Sequence, residues 1–445
     1  MFDGGSGPGL AALIAALAAI QPDAAPPAPE LPAAVATSDR PADDGAARPN
    51  QGGGLLSGTK LWGSTYYQAV GADGSGYTRG PWSVAQEAGL SVNVRSERGF
   101  ELLANFVLPV DLDQNLSSRT VIQQLSVRIA PSDRVTIIGG KQRLNWGTAL
   151  IFSAIDTLEP RANPLDVRPL PPGVSGLKAV VIPNDWLSLS VVVLPSSEAR
   201  WSRTAARVDF VAEDAGLDLG FGAVRYVFAD RDVAPGADPV KRARFAFLSD
   251  GAWSSGDLVL YEELQLRRGR EAGYRLPGMA SFSDLDDGAR PVFRGVAGVS
   301  YQLGVGLSRP VNLVAEYLYN GDGFSTGEAR AFAADLAAWD AAGRPAGSDL
   351  PALLQGIGGF RRNYASFGMQ NLAVRRYLLL SVNGIVGVDT LFSRFAGTVE
   401  WVPTQGTAVS ARYEHFTSFA ASSRPSELLM IPFRHRLTAT FSTTF

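Results

Sequence analysis

The sequence predicts an all-β fold: a transmembrane, antiparallel, up-and-down β-barrel of about 18 strands. Three observations predict it. Segment after segment alternates apolar and polar residues, the spacing of a strand whose two faces meet different surroundings. The connectors between these segments alternate between short and long. No apolar run reaches the roughly 20 residues that a membrane-spanning helix needs.

Composition narrows the field before any element is placed. The chain has 445 residues, no Cys and two His. The lack of Cys excludes a disulfide scaffold and thiolate chemistry. Two histidines speak against a multi-His metal centre, and no cofactor is expected. A net charge of -3 gives no basic patch for nucleic acid. An apolar fraction of 46% is too high for a mostly disordered chain.

The N-terminal part stands apart. Leu10 to Ile20 reads LAALIAALAAI, too short to span a membrane and suited to the apolar core of a secretory signal. No Lys or Arg precedes it, and Ala34-Val35-Ala36 is a small-x-small cleavage candidate. The following Pro/Ala/Gly-rich stretch has little to bury and reads as a flexible leader. The expected division is therefore 1–58, signal-like segment and leader, and 59–445, the barrel.

From residue 59 onward the alternation begins. Leu90, Val92 and Val94 oppose Ser91, Asn93 and Arg95. Thr204, Ala206, Val208 and Phe210 oppose Arg203, Arg207 and Asp209. Over 311–319, Val311, Leu313, Ala315, Tyr317 and Tyr319 oppose Asn312 and Glu316, though Val314 and Leu318 share that second face. Phe395, Gly397, Val399 and Trp401 oppose Ala396, Thr398 and Glu400. Val409, Ala411 and Tyr413 oppose Ser410, Arg412 and Glu414. At the end, Phe433, Leu437, Ala439, Phe441 and Phe445 oppose Arg434, Arg436 and a run of Thr and Ser. Charges on the minor face of so many strands would be costly in a dry sandwich core and suit a wet lumen.

The connectors test this independently. Short ones fall near Ser96, Pro131, Pro183, Glu213, Ser254, Gly306, Arg375 and Pro403. Longer ones fall at 71–81, 110–119, 147–175, 231–240, 270–290, 321–361 and 420–429, with two short exceptions near 196–200 and 389–392. Tight turns at one end and long loops at the other are what a membrane barrel requires. No fixed-period repeat supports a propeller.

The last strand ends in Phe445. It resembles the closing strand of Gram-negative outer-membrane β-barrels, whose terminal aromatic is read by the barrel-assembly machinery. The stretch GGKQRLNWGTALIFSAIDTLEPRANPLD, Gly139 to Asp166, is similar to a motif of porin-like outer-membrane proteins and to alginate-export-type barrels. The resemblance implies a bacterial outer-membrane channel, held in outer-membrane lipid, that passes small polar solutes by passive or substrate-biased diffusion. It transfers no particular solute. A non-conducting scaffold for surface binding or envelope assembly, and polysaccharide export, are the alternatives. Monomer and trimer both stay open.

Selectivity in such a channel comes from lumen charges and inward loops. By parity the pore-lining candidates are Arg128, Lys141, Arg143, Glu400, Arg412, Glu414, Arg434 and Arg436, with Arg95, Arg203, Arg207 and Glu316 also inward. The wall near closure gathers Glu400, Arg412, Glu414, Arg434 and Arg436, either as a stiffening ion-pair ladder or as a field acting on solutes. The 147–175 connector carries Asp156, Glu159, Arg161, Asp166 and Arg168 among five prolines and is a candidate constriction loop. An outward solvated loop fits the same residues, since direction is not readable from sequence. The 321–361 connector has Phe332, Leu336 and Trp339 at helical spacing, as a lid or a surface loop.

Catalysis is not expected. Gly139-Gly140-Lys141 is followed by Gln142 and lacks the phosphate-loop pattern. No G-x-S-x-G elbow occurs. His415, near Thr417 and Ser418, is similar to the His-x-Ser site of outer-membrane phospholipases, but Thr417 holds the nucleophile's place and no matching Asn follows.

Overall fold

The structure is a computed structural model. It describes residues 60–71, 82–95, 100–111, 121–144, 146–155, 157–158, 173–229, 241–270, 290–304, 310–342, 360–375, 377–404, 407–418 and 434–444. The signal-like segment and leader, Phe433 and Phe445 lie outside the described residues, and the division at 58/59 stays an expectation.

Eighteen strands form one sheet. The first six are β1 (Lys60–Gly71), β2 (Trp82–Arg95), β3 (Phe100–Asp111), β4 (Val121–Ser132), β5 (Val135–Gln142) and β6 (Val174–Asn184). The next six are β7 (Leu187–Leu194), β8 (Arg203–Ala212), β9 (Leu217–Ala229), β10 (Lys241–Ser255), β11 (Leu258–Arg268) and β12 (Pro291–Leu303). The last six are β13 (Val311–Asn320), β14 (Asn363–Arg375), β15 (Leu378–Gly387), β16 (Phe392–Thr404), β17 (Thr407–Ser418) and β18 (His435–Thr444). Each strand pairs antiparallel with the next. β1 also pairs with β18, from Trp62 opposite Thr444 to Gly71 opposite His435. The ladder therefore closes, and no edge is left to template aggregation.

The turn pattern of the sequence is the turn pattern of the fold. Eight tight connections join β2–β3, β4–β5 and so on to β16–β17, and the longer loops lie at the other end. An even strand number brings the start of β1 and the end of β18 to the short-turn end.

Side-chain exposure is inverted relative to a water-soluble domain. On β10, Phe245 and Phe247 are 63% and 68% exposed, while Arg244 and Asp250 are buried. On β11, Leu260, Leu264 and Leu266 face outward, while Glu263, Gln265 and Arg267 are buried. Phenylalanine outside and ionised groups inside make sense only when lipid replaces water outside and a polar lumen lies within. Aromatics mark the ends of this belt. Trp186 sits in the β6–β7 turn, and Tyr317 is exposed near the long-loop end of β13.

One candidate is corrected here. Lys141 stands opposite Leu125 on β4 and Ser175 on β6. Leu125 is exposed, as is Leu177 two residues along β6 from Ser175, so Lys141 has the outward parity and does not line the pore. The misreading has a physical origin. Ile137-Ile138-Gly139-Gly140 places two apolar and two featureless residues in succession, and the period of two is lost there.

Among the described residues no helix is long and apolar enough to cross a membrane. The β13–β14 connector carries α1 (Thr326–Ala341). Phe332 and Leu336 are buried beneath it, as their spacing predicts; the side chain of Trp339 lies outside the described set.

An arginine placed mid-wall on the lipid face should be costly. Phe247→Arg is expected to lower the stability of the barrel in lipid vesicles by about 2–4 kcal/mol, read by denaturant titration, whereas Phe247→Leu stays near wild type.

Candidate functional site

The interior is built from two unlike halves. The first is filled by the chain that follows β5. Residues 144–158 leave the wall and pack against the inward faces of β6–β10 and β12–β15, where Val192, Val224, Ala246, Val296 and Leu318 are buried.

What holds this segment is its own backbone. Glu316, midway along β13, accepts from the N–H groups of Leu150 (2.6 Å), Ile151 (3.0 and 3.1 Å) and Phe152 (2.8 Å). Glu263, midway along β11, accepts from the N–H groups of Ala149 (2.9 Å) and Ala154 (2.7 Å). The Thr148 hydroxyl donates to the carbonyl of Glu262 at 3.1 Å. A loop inside a barrel has no sheet partner, and its amides would otherwise be costly to bury. Two carboxylates, 1% and 4% exposed, satisfy five of them. Each carboxyl group takes more than one amide, so the segment is held at two points along the barrel wall.

Neighbouring residues brace the clamp. Tyr261 on β11 donates its hydroxyl to Glu316 Oε1 at 2.7 Å, reaching over Gly298 on β12, where a Cβ would overlap its ring. Arg207 on β8 reaches over Gly220 on β9 to donate to both oxygens of Asp250 at 2.6 and 2.9 Å. It also donates to Asp209 and lies 5.9 Å from the ring centroid of Trp146. Arg203 donates to the Leu158 carbonyl at 2.7 Å, pinning the far end to β8. The segment thus crosses from β8 to β13 and returns.

The second half is polar. On β16–β18, Glu414 is 1% exposed and accepts from three arginines: Arg394, Arg412 at 3.3 Å and Arg436. Arg434 precedes β18 at the long-loop end. With Arg434, four guanidiniums stand against two carboxylates, Glu414 and, nearer the short-turn end, Glu400. The buried Nη1 of Arg434 and Nε of Arg412 have no hydrogen-bond partner among the described residues.

The remaining candidates are dispersed. Arg128 faces inward on β4, 3.6 Å from Glu101. Glu400 lies on the inward parity of β16, near the short-turn end. Arg143 stands just past β5, at the root of the inward segment. Asp156, Glu159, Arg161, Asp166 and Arg168 lie outside the described residues. Sequence reasoning missed Glu263, Asp250, Tyr261 and Arg394. Tyr261, Glu263, Gln265 and Arg267 do alternate with leucines, but the adjacent Glu262 blurs the pattern. Arg394 falls in the first turn of residues before the alternation recognised at Phe395.

A third cluster ties α1 to the long-loop ends of β11 and β13. Ser325 and Glu328 form a capping box: Glu328 N–H donates to Ser325 Oγ (3.4 Å), and Ser325 N–H donates to Glu328 Oε2 (2.6 Å). Arg270 grips Glu328 at 2.7 and 3.2 Å and the carbonyls of Asp322 and Gly323 at 2.8 and 2.7 Å. Phe324, Phe332 and Phe360 stack beneath, with centroids 5.4–5.8 Å apart. Burial raises the Glu328 pKa, but hydrogen bonds from Arg270 and Ser325 and the charge of Arg270 outweigh it and hold it at about 2.

With this geometry described, the chain can be set beside known proteins. The crystal structure of Acinetobacter baumannii OccAB1 is similar over 88% of this chain and 98% of that one, with a TM-score of 0.51 and 11% identity. Pseudomonas aeruginosa OpdQ is similar over 87% and 96%, with a TM-score of 0.50 and 12% identity. The chain has the fold of the outer-membrane porins. No protein-family model matches it, and no curated protein matches its sequence.

Two outcomes are expected. In Glu316→Ala the amides of Leu150–Phe152 lose charged acceptors worth about 1.5–3 kcal/mol each. Their hydrogen exchange should speed by tenfold or more while the wall strands stay protected. The Glu328 grip lowers a carboxylate pKa, so its contribution is complete above about pH 4.5 and is lost as the pH falls towards 2. Protection of the first turn of α1 should fall over that window and should be independent of pH there in Glu328→Gln.

Proposed function

We propose that the protein is a bacterial outer-membrane channel for the diffusion of small polar solutes, biased toward anionic ones. The observation that carries this reading is the half-filled interior. The clamped segment occupies the sector of β6–β15 at mid-height, so a solute is directed along the wall of β16–β18. There Arg394, Arg412, Arg434 and Arg436 outnumber Glu400 and Glu414.

The mechanism follows from desolvation. A solute passing the narrow level loses part of its hydration shell, and fixed guanidinium donors replace the lost water contacts. Arginine suits this task because it stays charged and presents planar pairs of N–H donors to carboxylate or phosphate oxygens. Glu414 holds three of the side chains in place and cancels only part of their charge. The inward segment that follows β5 sets the size limit. Porin-like folds support many solute preferences, so the likeness to OccAB1 and OpdQ supports the channel and leaves the solute to the wall.

Planar-bilayer recording tests both parts. Purified protein should give stepwise conductance with a reversal potential on the anion-selective side in a salt gradient. Arg434→Glu with Arg436→Glu should move that potential toward cation selectivity. A barrel that inserts without conductance steps would refute the channel, and an unmoved reversal potential would refute the role of the wall.

A further inference from the structure

The chain's two histidines, 20 residues apart in sequence, are direct partners in the sheet: His415 on β17 stands opposite His435 on β18. Both carry the outward parity near the long-loop end, His435 as the first residue of β18, and take no part in the lumen. Their Nδ1 atoms are 3.2 Å apart, and their ring centroids 4.7 Å apart. The Tyr413 hydroxyl lies 2.7 Å from His435 Nδ1, and its ring stacks on His435. On the other side of His435 the partner is Gly71 of β1, which has no side chain to crowd the imidazole.

We propose that His415 and His435 form a binding site for a divalent transition-metal ion of the zinc, nickel or copper class on the outer rim of the barrel. The distance makes the argument. Metal–imidazole bonds are about 2.0–2.1 Å long, and two of them at a tetrahedral angle separate their nitrogens by about 3.4 Å. The observed 3.2 Å is close to that bite. A sheet holds it with little freedom, because register fixes both Cα positions and cross-strand partners point to the same side. Imidazole is the ligand type these ions share. The Tyr413 hydroxyl is within reach as a third donor, and water completes the shell. No group of three or more His, Cys, Asp or Glu occurs among the described residues, so this is a two-imidazole site with open positions.

With no metal, His435 Nδ1 lies within hydrogen-bond distance of both His415 Nδ1 and the Tyr413 hydroxyl, and the tautomers set the direction of each bond. When the ion binds, both rings present Nδ1 lone pairs and keep their protons on Nε2, a change of tautomer with no net proton loss. The bound ion would bridge β17 to β18 one strand from the β1–β18 seam.

Isothermal calorimetry with Zn²⁺ on the untagged full-length protein in detergent tests the site. Wild type should take up one equivalent per chain at pH 7.5. His415→Gln and His435→Gln should each abolish it, with the folded barrel verified by its heat-dependent gel mobility. Cu²⁺ electron paramagnetic resonance should show nitrogen coupling in wild type that is lost in either variant. Saturable uptake that persists in a single variant, or its absence from folded wild type, would overturn the proposal.

Discussion

Closure of the hydrogen-bond ladder is the constraint on which everything else rests. Lipid offers no donors or acceptors, so each strand must find both neighbours within the sheet. The pairing of β1 with β18 supplies the last of them. Closure also fixes parity around the ring. Once Phe245 and Phe247 face lipid, Arg244 and Asp250 must face the interior. The charges inside are thus a consequence of the same geometry that satisfies the backbone outside.

A closed ladder of this size leaves a wide interior, and the protein divides it unequally. Apolar packing and two carboxylates fill one sector with residues 144–158. The arginine-rich wall remains for water and solute. The division has an electrostatic logic. Glu263 and Glu316 are occupied by amides, Asp250 by Arg207 and Glu414 by arginines. These four acids are engaged in holding structure, while part of the basic side-chain hydrogen bonding is left open at Arg412 and Arg434 among the described residues.

Much of this was legible in the sequence, and the reasons are local. A period of two survives wherever one face meets lipid and the other water, so the strands, their turns and the two short exceptions among the long loops could be read directly. The β16–β18 wall was legible because Arg412, Glu414 and Arg436 alternate cleanly with apolar neighbours. Lys141 was misplaced because two isoleucines and two glycines carry no parity. The clamp was not legible at all. Its partners are 109 to 166 residues apart in the chain, and one partner of each bond is a main-chain N–H, which every residue but proline has. Glu316 could be placed inward, but nothing in its surroundings named what it would hold.

That clamp reads main chain and ignores side chains. Ala149, Leu150, Ile151, Phe152 and Ala154 are gripped through groups that substitution leaves unchanged. At Leu150, whose side chain is exposed, the passage can therefore be reshaped by any residue but proline without disturbing that attachment, whereas Phe152 and Ala154 also pack into the core. Natural variation or an engineer could retune the width of the aperture while the surrounding wall keeps its assembly and its strength.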